Sequence, residues 1–204
     1  MSARRVVLWR HGQTDLNISF RIQGSLDIPL NDAGREQASA AAEHIARLEP
    51  TAIVSSPLSR AHETARALAE VTGLDVAKDE RLAERDFGQW EGLDREAIAG
   101  RWPEQFNAWS SGLQPQGVGV ETKTAVGERV SRAVAHWAGQ TDGTLVVVAH
   151  GSALMCGVIA LLGMDPAQWD GFRGMDNCHW SIVLPQPERN PRWRVYAYNR
   201  GVDD

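Results

Sequence analysis

Two runs of apolar, mostly β-branched residues, 5–9 and 145–149, show neither a helical period nor an alternation of polar and apolar positions. That pattern suits strands covered on both faces. Between them, alanine-rich segments at 33–48, 60–72 and 124–140 predict helices, and shorter β-rich segments at 52–55 and 75–78 predict strands. Asn31 or Asp32 stands where the first helix needs an N-cap, Ser56-Pro57 interrupts the chain ahead of the second, and Gly73 suits its stop. The Gly-, Gln- and Ser-rich stretch 110–120 reads as a surface loop. A helix at 152–162 follows, with strands near 179–184 and 193–198 joined by a proline-rich turn. The strand–helix alternation predicts an α/β fold with a mostly parallel central sheet between helices, a three-layer α/β/α sandwich. With no repeat, low-complexity tract or long linker, residues 1–204 read as a single domain.

Composition narrows the function classes. A chain 43% hydrophobic and 23% charged is ordinary for a globular protein, and a net charge of -5 disfavours nucleic acid and anionic membranes as partners. The apolar run at 5–9 is too short for a signal-peptide core or a membrane span, so a cytoplasmic location is expected. Cys156 and Cys178 are too few for a disulfide framework and too far apart for a Cys-x-x-Cys site; they read as reduced, buried thiols. The eight tryptophans read as packing residues.

Both long apolar runs deliver a histidine followed by glycine: Arg10-His11-Gly12 and Ala149-His150-Gly151. Sites in open α/β sheets gather at the carboxyl ends of the strands, so both histidines are expected there. Arg10 offers a planar fork of donors matched to phosphate oxygens, and Gly12 lets backbone approach a ligand. A second arginine, Arg60, falls at a predicted helix start, where free N–H groups favour anions. Glu84 supplies a carboxylate, with Asp86 and Glu91 as rivals for the same role. His44, His62 and His136 fall on predicted helices and read as solvated or packing residues; His179, beside Trp180, stays open. Arg21 and Arg81 read as surface arginines.

Taken in order, Arg10-His11-Gly12-Gln13-Thr14 with Asn17, the segment Ser-Ser-Pro-Leu-Ser-Arg-Ala at 55–61, Leu-Ala-Glu-Arg-Asp-Phe-Gly-Gln-Trp-Glu-Gly at 82–92, and Ala149-His150-Gly151 resemble the histidine phosphatase, or phosphoglycerate mutase-like, superfamily. The resemblance covers nearly the whole chain. It implies that His11 becomes phosphorylated, that Arg10, Arg60 and His150 grip the phosphoryl oxygens, and that Glu84 donates and later accepts the proton. Asn17, Gln23, Gly24 and Gly151 match positions that add phosphate contacts. No metal or other cofactor is implied, because two arginines and a donating histidine stabilise charge on the equatorial oxygens.

The chain is short for a mutase of this superfamily, and Phe87-Gly88-Gln89-Trp90-Glu91-Gly92 resembles the phosphatase branch. Within that branch, residues 4–15 and 21–27 are most similar to the actinobacterial glucosyl-3-phosphoglycerate phosphatases. Two departures lie where a substrate would enter: Gly119-Val120-Glu121-Thr122 in place of Gly-Gly-Glu-Ser, and Ser152 in place of a second glycine after His150. The expected function is a metal-independent phosphomonoesterase acting on a small phosphorylated metabolite, a sugar or glycerate phosphate. Two alternatives are a bisphosphoglycerate-dependent phosphoglycerate mutase and a phospho-ligand binding module with weak turnover. If the strand at 193–198 lies at a sheet edge, a homodimer partner can pair with it.

Overall fold

The structure, a computed structural model, describes residues 2–204. In chain order it comprises strand β1 (Arg5–Arg10), a one-turn helix α1 (Asp15–Ile18), α2 (Asp32–Ala46), β2 (Pro50–Ser55), α3 (Ser59–Thr72), β3 (Val76–Lys78), short helices α4 (Arg95–Arg101) and α5 (Pro103–Ser110), the long α6 (Lys123–Gln140), β4 (Thr144–Ala149), α7 (Gly151–Leu161), β5 (Trp180–Pro185) and β6 (Trp193–Arg200). The six strands form one sheet in the order β3-β2-β4-β1-β5-β6. The first four in that order are parallel, whereas β5 runs antiparallel to β1 and β6 antiparallel to β5. The short proline-containing connection between β5 and β6 allows only antiparallel pairing, since a parallel neighbour needs a long crossover.

Alternate side chains of the central strands enter two separate cores. Val6 and Leu8 with Val54, Leu145, Val147 and Ala149 pack under α6 and α7. Val7 and Trp9 with Ile53, Val146 and Val148 pack under α2 and α3. Both faces are thus covered, which is why these strands read as unbroken apolar runs. Among the described residues no helix is long and apolar enough to cross a membrane.

Local chemistry sets the helix ends. Asn31 is the N-cap of α2, its side chain accepting from the Gly34 N–H at 2.8 Å, and α3 ends at Gly73 in the left-handed conformation with φ 71°. Gly34 lets α2 touch the loop after β1: a Cβ on Gly12 would sit 2.3 Å from the Gly34 carbonyl oxygen, and one on Gly34 would sit 2.1 Å from that of Gln13. The loop carrying His11 is therefore pressed against the start of α2 backbone to backbone.

The stretch 110–120, expected as a surface loop, buries two of its residues, Val118 and Val120, against helices that the sequence reading does not assign. Helices α4 and α5, together with the loop after them, bury Trp90, Ile98, Val118 and Val120 in a third small core, with Trp102, Phe106 and Trp109 half-buried around it. At 7 and 8 residues each helix has only about two turns, too few for a sustained amphipathic pattern, and Trp102-Pro103 breaks the pattern between them.

Candidate active site

The site forms where β1 and β4 end side by side, Arg10 being in register with Ala149. The His11 N–H donates to the Ala149 carbonyl at 3.0 Å, so the two histidine-bearing turns are tied directly. The two imidazole rings lie 5.2 Å apart, tilted by 59°.

Hydrogen bonding fixes the tautomer of each ring. Nδ1 of His11 lies 2.7 Å from the Gly12 carbonyl oxygen, which only accepts, so Nδ1 holds the proton and the Nε2 lone pair is free. Nδ1 of His150 accepts from Arg60 Nε at 3.2 Å, so its proton sits on Nε2, which donates to Ser56 Oγ at 2.8 Å. Both ring nitrogens of His150 are thus satisfied inside the protein. Burial pushes both imidazoles well below their ordinary pKa of 6.5; Arg10 and Arg60 add to the effect on His11, and Arg60, His11 and Arg10 to that on His150. Both rings are neutral at pH 7.

A pH prediction follows from the direction of these shifts. An unfolded chain takes up protons on these histidines below about pH 6.5, the unperturbed value, while the folded one does not until lower pH, so their contribution to stability is lost as pH falls through that window. The acid limb of kcat/KM is expected clearly below pH 6.5. A pH–rate profile with its limb at or above 6.5 would contradict a neutral, buried His11.

The two guanidinium groups face the rings with donors to spare. Arg60 is fully buried. Its Nη1 donates to the Leu26 carbonyl at 2.7 Å and its Nη2 to that of Gly24 at 2.8 Å, which leaves one N–H on each terminal nitrogen. Arg10 donates through Nη1 to the Met175 carbonyl, while its buried Nε has no partner among the described residues. That guanidinium packs on Gly151, where a Cβ would lie 3.4 Å from Nε. A buried cationic N–H without an acceptor costs on the order of 1–3 kcal/mol, which an arriving anion recovers. The start of α7 brings the Gly151 backbone to the same place, whereas the next two N–H groups of the helix, those of Ser152 and Ala153, are taken by Glu84.

Glu84 meets the site at the start of α7. Its carboxylate accepts from the N–H groups of Ser152 at 3.2 Å, Ala153 at 2.8 Å and Arg85 at 2.8 Å, so it caps the helix that begins beside His150. Its rivals are engaged elsewhere. Asp86 accepts from the Gly88 N–H, and Glu91 from Ser25 and the Phe87 N–H, bracing the loop at 24–25. That brace explains Gly24, which has φ +52° and where a Cβ would come 1.9 Å from Glu91 Oε1.

Of the remaining candidates, Asn17 turns its Oδ1 toward Thr14 and Asn177, leaving its amide nitrogen without a protein partner among the described residues. The Gln23 Oε1 is buried and likewise unpartnered. The Gly24 carbonyl serves Arg60. His44, His62 and His136 pack against Trp180, Ser55 and Gln140. His179 resolves as a brace for the C-terminal end, bonded to the Asn199 carbonyl at 3.0 Å. Arg81 is paired with Asp79, and Arg21 bonds the Gly92 carbonyl. Burial pushes the Cys156 thiol up to about 11 and that of Cys178 up to about 12, and both are free.

Three contributors escape the sequence reading. Ser56 accepts from His150, and Thr64 Oγ1 accepts from the Gly12 N–H at 3.1 Å; both fall within or beside the motif around Arg60. Asn177 Nδ2 donates to the carbonyls of His11 at 3.0 Å and Gly12 at 3.1 Å. Nothing local marks Asn177, because only the pairing of β5 on β1 carries it to the loop after β1.

The chain belongs to the histidine phosphatase superfamily (branch 1), which it matches over residues 6–199. Over 98% of its length it is 38% identical to the glucosyl-3-phosphoglycerate phosphatase of Mycobacterium tuberculosis, covering 96% of that protein. It is 34% identical over 91% of its length to phosphoserine phosphatase 1 of Hydrogenobacter thermophilus, covering 89% of it. A mycobacterial glucosyl-3-phosphoglycerate phosphatase in complex with inorganic phosphate superposes with a TM-score of 0.87 at 37% identity, covering 99% of this chain and 100% of that one. The resemblance carried by the motifs thus holds along the full length, and the chain is a phosphoric monoester hydrolase of this superfamily.

Proposed function

We propose that the chain hydrolyses a small phosphorylated metabolite in two steps through a phosphohistidine on His11, without a metal. The observation that carries the reading is the free Nε2 lone pair of His11, whose ring lies 5.2 Å from that of His150, together with the unpartnered Nε of Arg10 and the spare N–H groups of Arg60, which bonds His150. Nε2 attacks phosphorus as the ester P–O bond breaks. The Nδ1–H bond to the Gly12 carbonyl then stabilises the positive charge that develops on the ring. Arg10 and Arg60 neutralise the equatorial oxygens, and the Nε2–H of His150 turns from Ser56 to one of them. Asn17, Gln23, Gly24 and Gly151 add further contacts to the phosphoryl group. Glu84 protonates the departing alkoxide and, once ionised, takes a proton from the water that attacks phosphohistidine. Inorganic phosphate leaves, and His11 returns to its neutral form.

For the substrate, the full-length similarity to a glucosyl-3-phosphoglycerate phosphatase supports a glucosylated phosphoglycerate or a related sugar or glycerate phosphate. A cytoplasmic setting and pairing of two copies along the free edge of β6 belong to the same proposal; the position of β6 at the end of the sheet supports the second. The test is phosphate release with chelator present from glucosyl-3-phosphoglycerate, 3-phosphoglycerate, phosphoserine and simple sugar phosphates. Rapid release from one of these, at least about 100-fold above the others in kcat/KM, is expected. Loss of activity on chelation with recovery on adding Mg2+ would refute the metal-free reading. Interconversion of 3- and 2-phosphoglycerate in place of release would make the chain a mutase.

A further inference from the structure

We infer that Arg129, paired with Glu121, is a positioning residue that holds the Glu84 loop in register with the start of α7 and so sets the efficiency of proton delivery to the leaving group. The inference rests on the proposed acid role of Glu84. Arg129 lies on α6, and its guanidinium is fully occupied. Nη1 donates to the carbonyls of Arg81 at 2.9 Å and Ala83 at 2.6 Å, and Nη2 to that of Glu84 itself at 3.0 Å. Nε and Nη2 also form a fork on the Glu121 carboxylate at 2.8 and 2.9 Å.

Glu121 grips the same loop from its other end. Its N–H donates to the Asp86 carbonyl at 2.8 Å, its Oε2 accepts from the Asp86 N–H at 3.2 Å, and its carbonyl accepts from Arg85 Nε at 2.7 Å. Burial is the largest single influence on Glu121 and opposes its charge, but the hydrogen bond and charge of Arg129, the Asp86 N–H and the charge of Arg85 together outweigh it, holding the carboxyl below its ordinary pKa. The backbone of 81–86 is thereby fixed at both ends of Glu84, while the carboxylate is aimed by the N–H groups of Ser152 and Ala153. Carbonyls of three residues converging on one arginine need its planar fork, which lysine lacks. The arrangement also links the acid to the loop at 111–122, because Glu121 lies within that loop, next to the Thr122 cap of α6, and Arg85 bonds Gln114 in it.

A group that positions the acid affects poor leaving groups most, since good ones depart without protonation. The test compares kcat/KM for p-nitrophenyl phosphate and for alkyl phosphates in single and double variants. Glu84→Gln is expected to slow alkyl phosphates by about 1,000-fold and p-nitrophenyl phosphate by less than about 10-fold. Arg129→Met should reproduce that slope in smaller size, about 10–100-fold on the alkyl esters and a few-fold on the aryl ester, with Arg129→Lys in between. Glu121→Gln, which keeps shape and should fold if Arg129→Met does not, is expected to shift the same way by about 5-fold or more. In the Glu84→Gln background, adding Arg129→Met should change the alkyl rate by less than about 3-fold, because its effect runs through the missing acid. Equal slowing of both leaving groups, or full multiplication in the double variant, would overturn the inference while leaving Glu84 in place. A flat leaving-group dependence for Glu84→Gln itself would remove the acid role, and this inference with it.

Discussion

His11→Ala is expected to lower kcat/KM by about 10,000-fold or more while leaving the protein folded and able to bind inorganic phosphate. The loss follows from the chemistry: Nε2 of His11 is the atom that forms the covalent intermediate, and the other imidazole at the site, that of His150, has both nitrogens engaged. Removing a covalent nucleophile typically costs four or more decades in rate, roughly 5 kcal/mol or above. The fold should survive, because the backbone bonds of His11 to Ala149, Cys178 and Asn177 do not involve the imidazole. Substitution leaves a small void and unburdens Arg10 and Arg60 of nothing, so phosphate-dependent thermal stabilisation persists. Steady-state kinetics with a phosphate-release assay and melting with and without phosphate check both halves. Residual activity within about 100-fold of wild type would mean that another group attacks phosphorus.

Arg60→Lys is the second large expectation, about 1,000-fold in kcat/KM, and it differs from the first by weakening the fold as well. Lysine keeps the charge but not the planar fork that meets two phosphoryl oxygens. It also abandons three partners that Arg60 holds at once: His150 Nδ1 and the carbonyls of Gly24 and Leu26. With the side chain fully buried, each orphaned acceptor costs on the order of 1 kcal/mol, so a stability loss of about 2–4 kcal/mol and a Tm lower by roughly 5–15 °C are expected. Phosphate should no longer raise Tm appreciably, in contrast to His11→Ala. If phosphate stabilises Arg60→Lys as strongly as wild type, Arg60 is a structural arginine only.

These two residues also mark how far the sequence could be read. Strands β1 and β4 were legible because both faces are buried, and the pairing of Arg10 with Ala149 then follows from their equal position at the end of parallel neighbours. The residues that carry chemical groups, His11, His150, Arg10, Arg60 and Glu84, sit in motifs whose spacing the fold respects. The settings that give those groups their properties were not legible. The tautomer of His11 depends on the Gly12 carbonyl and that of His150 on Arg60 and Ser56, contacts that only the folded loops define.

The same limit appears elsewhere in the chain. Asn177 reaches the His11 carbonyl through an antiparallel pairing that an alternating β-α pattern does not announce. The rivalry among Glu84, Asp86 and Glu91 could not be settled along one loop, since what separates them is the start of a helix almost 70 residues later for one, and local loop bracing for the other two. The cap of α4 and α5 stayed hidden because two short helices around Trp102-Pro103 give no sustained period, although their apolar residues do form a core.

The phosphoenzyme gives the most direct test. The protein is mixed for milliseconds with a phosphate-labelled substrate, quenched in base, which preserves phosphohistidine, and digested for peptide mapping. Label on His11, bonded through Nε2, absent from His11→Ala and discharged by water at a rate no slower than turnover, is the predicted result. Turnover without any labelled histidine, or label on a residue other than His11, would contradict it.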